Sequence, residues 1–166
     1  MNAQTEVGRA QATPETKRQF RKSSFARMCD KQEITGDMMR AAQEIERVYM
    51  AITAGLWAKP VSMERVSGSG RPEIALNLAW AYKRRYKPWA DLLSRRKVRQ
   101  GAPDLAIVID VLIGCQFLND LARQYGSRQS ILKFIFRRAL LEYAVMAQWC
   151  DRAELDALGN QFRQAA

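Results

Sequence analysis

From Arg123 to Leu141 the chain carries Arg128, Gln129, Ser130, Lys133, Arg137 and Arg138, and no acidic residue falls in the interval. Each of these side chains donates hydrogen bonds. Arg and Lys pair with guanine edges, and Gln pairs with adenine. Hydroxyls and guanidinium groups also bind phosphate oxygens, which position a protein without reading sequence. The chemistry on offer is non-covalent recognition of a polyanion. Arg128, Gln129, Ser130 and Lys133 are the candidates for base edges, and Ser127, Arg137 and Arg138 for phosphates.

Recognition of that kind needs a helix presented from a rigid support. The segment 116–139 reads as a helix-turn-helix. Before Gly126, the residues Phe117, Leu118 and Leu121 share one helical face; after it, Ile131, Leu132, Ile135, Ala139 and Leu140 do the same. Ala122 lets two helices cross closely, Gly126 suits positive φ in the turn, and Ser127 is placed to cap the second helix. Leu121 and Tyr125 face Leu132 and Ile135 across a small core. The outward strip of helix 127–138 then enters a major groove, its N-terminal residues reaching deepest.

A second cationic block lies upstream. Lys83, Arg84, Arg85 and Lys87 precede Pro88, and Arg95, Arg96, Lys97 and Arg99 follow it; Asp91 alone opposes them. Such a cluster neutralises phosphates without exact geometry, through counterion release. Tyr82, Tyr86 and Trp89 lie among the charges, either to stack on bases or, the better reading, to fill the core.

The charge distribution agrees. The chain has 27 Lys and Arg against 17 Asp and Glu, a net of +10. Residues 1–100 hold 20 basic and 10 acidic side chains, and residues 101–166 hold 7 of each, so the whole excess lies in the first hundred. Such a field attracts nucleic acid, an acidic protein face or anionic lipid. Histidine is absent, which removes the usual general base and the commonest metal ligand. Cys29, Cys115 and Cys150 have no metal-ligand spacing, and read as free thiols of a reducing cytosol. No cofactor is implied. Asp104, Asp110, Asp120 and Glu142 form no convincing catalytic pair, so an enzyme is not expected. The most apolar stretch, Leu105 to Leu118, contains Asp110 and falls short of the ~20 residues of a membrane span.

The expected fold is all-α. Residues 1–24 read as a flexible basic arm with Lys17, Arg18, Arg21 and Lys22, and 25–166 as the helical DNA-binding domain. A helix from about Asp37 to Leu56, capped by Thr35 or Asp37, carries Ala41, Ile45, Val48 and Ile52 on one face. Residues 60–72 read as a loop. A helix from Pro72 to Tyr86, with Ala75, Leu78, Ala79 and Tyr82 on one face, is broken or restarted by Pro88. A short helix around Trp89, Leu92 and Leu93 ends near Gln100 and Gly101. Pro103 to Ile113 is helical, and Leu155 and Leu158 suggest a last short helix against Trp149.

The stretch PDLAIVIDVLIGCQFLNDLARQYGSRQSILKFIFRRALLEYA, with ITAGLWAKPVSMERVSG upstream, resembles the C-terminal domain of alphaproteobacterial activators of gene transfer agents, itself similar to region 4 of bacterial sigma factors. The likeness covers about residues 45–146. It implies a phage-derived transcription activator touching promoter DNA and RNA polymerase, with Arg128 to Lys133 matching the recognition helix.

The leading expectation is a sequence-specific transcription regulator on double-stranded DNA, cytoplasmic and nucleoid-associated, with no membrane partner. The alternative is a phage DNA-packaging or scaffold protein using the same motif, which would form a homo-oligomer and show weak sequence preference.

Overall fold

A computed structural model describes residues 23–54, 72–98 and 101–165. Most of the basic arm, Leu56, the 60–71 loop, Arg99 and Gln100 lie outside the described residues, as does the side chain of Ala75. The described residues are helical, with no strand; one isolated antiparallel bridge joins Lys97 to Pro103.

Helix α1 (Ser24–Asp30) leads through a tight turn to α2 (Gly36–Thr53), which the Thr35 hydroxyl caps by accepting from the Met38 N–H. Of the two caps the sequence offered, Thr35 and Asp37, it is Thr35 that serves. Met38, Ala41, Ala42, Ile45, Val48 and Ala51 form its buried stripe.

Helix α3 (Pro72–Ala81) does not stop before Pro88. It widens into a π-helical turn, Tyr82–Tyr86, and continues as α4 (Lys87–Arg95). The Lys87 N–H reaches back five residues to the Tyr82 carbonyl. Proline has no N–H, and its ring collides with the carbonyl four residues before it in a regular helix. A wider turn immediately before Pro88 accommodates both problems. The sequence reading of a break here is therefore corrected to a bulged, continuous helix. It ends at Arg95, earlier than expected. A loop closed by Val98 N–H to Ala102 O and Asp104 N–H to Arg96 O then leads to α5 (Asp104–Leu112).

Helix α6 (Leu118–Gln124) and α7 (Gln129–Met146) follow, and α8 (Arg152–Ala165) closes the fold. Helix α7 is the axis: α2, α4, α5, α6 and α8 all pack on it. Its Leu132, Phe136, Ala139, Leu140 and Tyr143 are buried together with Trp89 of α4 and Leu121 of α6. Trp89 meets Tyr143 edge to face at 5.4 Å and donates its indole N–H to the Ala139 carbonyl at 2.9 Å. A buried tryptophan needs such a partner for its polar edge.

Candidate nucleic-acid interface

The α6–α7 junction is built by the end of α6. Gly126 has φ +54°, its N–H bonds the Arg123 carbonyl, and the Ser127 N–H reaches the Ala122 carbonyl at 3.0 Å. This six-to-one closure is how a helix ends on a left-handed residue. One expectation changes: Arg128, not Ser127, occupies the N-cap of α7, with no side-chain cap bond. Ser127 has its N–H engaged in closing α6 and stands one position too early.

Arg128, Gln129 and Ser130 are exposed at the start of α7. Lys133 is paired with Glu33 of the α1–α2 turn. Arg137 lies on the same side, its Nε buried without a partner. Arg138 donates through Nε to Glu142 at 3.0 Å, and Arg96 closes on both oxygens of the same carboxylate at 2.8 and 2.7 Å. Glu142 is only 6% exposed, so two of the proposed phosphate-binding arginines neutralise a buried acid.

The upstream cationic block divides in the same way. Arg85 donates to both oxygens of Glu44, at 3.1 and 3.0 Å, and lies over the rings of Trp80 and Trp149. The Tyr143 hydroxyl donates to Glu44 as well, at 2.7 Å. Lys87 pairs with Asp91 at the surface, 3.2 Å away. Lys83, Arg84, Arg95 and Lys97 are exposed, with no ion pair among the described residues. Tyr86 and Trp89 are buried and Tyr82 stacks on Tyr86, so these aromatics belong to the core. Trp80, which the sequence sets beside the apolar face of its helix, is 52% exposed.

Lys97 and Arg128, distant in sequence, come together. A hollow of about 810 Å³ is lined by Arg96, Lys97, Asp104, Ser127, Arg128 and Ile131, with Val98, Gly126 and Ile135 completing it. The loop after α4 and the start of α7 thus share one cationic rim. Asp104 is its acidic member; burial raises its pKa above the ordinary value, against the lowering pull of Arg96 and Arg138.

The remaining carboxylates are dispersed. Asp110 accepts from the Tyr125 hydroxyl at 2.6 Å, and Asp120 is exposed in the first turn of α6. Among the described residues no group of three or more His, Cys, Asp or Glu is placed to hold a metal ion, and no helix is long and apolar enough to cross a membrane. No family model, curated protein or solved structure matches the chain.

Sequence reasoning missed Glu33, Glu44 and Glu142 as partners of the cations. Only Glu142 left a trace, as an acid inside the apolar run ALLEYAV, where burial demands a paired charge.

Proposed function

We infer that the chain binds double-stranded DNA non-covalently and acts as a transcription regulator, using the start of α7 and the loop after α4. What supports this reading most is the shared rim of Lys97, Ser127 and Arg128 beside exposed Gln129 and Ser130. It gives phosphate-binding groups next to base-reading groups at a helix N-terminus, the arrangement helix-turn-helix proteins use. Lys83, Arg84 and Arg95 add cations that no acid among the described residues neutralises. Lys133, Arg138, Arg85 and Arg96 then act mainly in holding the helices in place. The gene-transfer-agent and polymerase contacts implied by the sequence resemblance would be additions to this DNA-binding core.

Selection from a random duplex library tests the reading. The native protein is expected to enrich one motif, and Gln129→Ala with Ser130→Ala to lose that preference while still binding DNA. Enrichment of no motif would remove the regulator.

A packaging or scaffold role is the second reading. Met50 on α2 and Leu76 and Trp80 on α3, two helices in contact, are more than half exposed, apolar area that an assembly contact would cover. Sedimentation showing a defined homo-oligomer, together with DNA binding lacking sequence preference, would favour it.

A further inference from the structure

We propose that α8 is an autoinhibitory latch that lies beside the DNA-reading strip of α7 and must swing away for the helix to enter a major groove; this rests on the DNA-binding reading above. Helix α7 has two apolar faces. Leu132, Phe136, Ala139, Leu140 and Tyr143 face the core. Phe134 stands two residues from both Leu132 and Phe136, which is about 200° around a helix of 3.6 residues per turn. Leu141 and Val145, at helical spacing from it, continue this second face. Helix α8 covers it. Phe162 stacks on Phe134 with ring centroids 4.1 Å apart and planes 15° from parallel, and Leu158 is buried.

The strip that would read DNA runs along the edge of this contact. Arg128 and Ser130, at its exposed start, line one groove of about 450 Å³ with Leu158, Gln161 and Phe162, and Lys133 and Arg137 continue that groove along α7. On the strip's other flank, Glu33 holds Lys133. A helix with its side chains is about 10–12 Å across, and the major groove is about 12 Å wide. One helix fits. Helix α8, packed along the same half of α7, meets the phosphate walls if α7 is inserted.

The contact is also suited to release. Arg137 Nε is buried beside the groove with no hydrogen-bond partner among the described residues, and a phosphate oxygen would supply an acceptor for it. Most of α8 besides Leu158, Leu155, Gly159 and Phe162 is exposed, so its attachment rests on few side chains.

The test is duplex binding by fluorescence anisotropy for the native full chain and Phe162→Ala, with hydrogen exchange of the 152–165 amides with and without DNA. Loss of one aromatic pair is expected to tighten binding by roughly three- to tenfold, because the competent fraction rises. The α8 amides of the native chain are expected to lose protection on binding DNA. Equal binding by the two proteins, with α8 equally protected in the complex, would overturn the latch and leave the DNA reading standing. Absence of duplex binding by both would overturn the DNA reading and the latch with it. Should Phe162→Ala fail to fold, the exchange measurement on the native chain decides alone: protection retained in the complex overturns the latch.

Discussion

The indole N–H of Trp89 on α4 donates to the carbonyl of Ala139 on α7, 2.9 Å away, and ties the bulged helix to the central one. The bond sits in the middle of the core, next to the Trp89–Tyr143 edge-to-face pair. Trp89→Phe keeps most of the apolar volume and removes the donor. A loss of about 1–2 kcal/mol is expected in urea denaturation, against about 3–5 kcal/mol for Trp89→Ala. No measurable loss for Trp89→Phe would show that the hydrogen bond contributes nothing beyond packing.

Glu142 holds Arg96 and Arg138 at once. Glu142→Gln leaves two guanidinium groups without their counter-charge. Arg96 and Arg138 retain some access to water, which moderates the effect to about 2–3 kcal/mol of lost stability. A melting temperature unchanged from the native protein would contradict the pairing.

The turn that closes α7 passes through Gln148, whose φ is +60°, with the Trp149 N–H donating to the Ala144 carbonyl. A residue with a side chain is strained in this region by about 1–2 kcal/mol. Gln148→Gly relieves that strain but adds freedom to the unfolded chain. A net gain of about 0.5–1 kcal/mol is expected, read as a higher urea midpoint with unchanged slope. A lower midpoint would mean that the Gln148 side chain stabilises the turn in some other way.

Three tyrosines give the alkaline behaviour. Burial first, then the charges of Tyr49 and Tyr82, push Tyr86 up to about 12. Burial, then the hydrogen bond to Asp110, push Tyr125 up to about 12. Burial and the bond to Glu44 hold Tyr143 well above the ordinary value of 10.0. Their folded pKa values exceed the unfolded ones, so the stability they contribute is complete below about pH 10 and declines as pH rises toward about 12. Urea denaturation at neutral pH and near about pH 11 checks this. Tyrosinate absorbance rising fully by about pH 10.5 in the folded state would contradict it.

Much of the architecture was legible because it follows from helical periodicity. The α2 stripe of Ala41, Ile45 and Val48, its Thr35 cap, and the Gly126 turn are local patterns with local causes. The π-helical bulge was not legible, since Pro88 alone signals a break as readily as a widened turn. The turns that close α1 and α7 pass through Gln32 and Gln148 in the left-handed region, without the glycine that announces such ends. The surroundings of the proposed binding strip were readable only in part. Arg128, Gln129 and Ser130 are exposed as the spacing implied, whereas Lys133 and Arg138 found acids that are distant in sequence or masked within an apolar run. The double-sided burial of α7 was hidden because Phe134 sits among cations, and periodicity gives only one face when the second partner, α8, is not yet placed.

The most direct measurement is duplex DNA binding across a salt series for the native chain, for Lys97→Ala with Arg128→Ala, and for Lys133→Ala. The native protein is expected to bind with log affinity falling linearly in log salt, and the Lys97, Arg128 pair to lower that slope by about 2, since each lost phosphate contact removes about 0.9. Lys133→Ala, whose ammonium is held by Glu33, is expected to change the slope by much less. Absence of salt-sensitive duplex binding, or the same slope for the native chain and the Lys97, Arg128 pair, would contradict DNA binding at this rim.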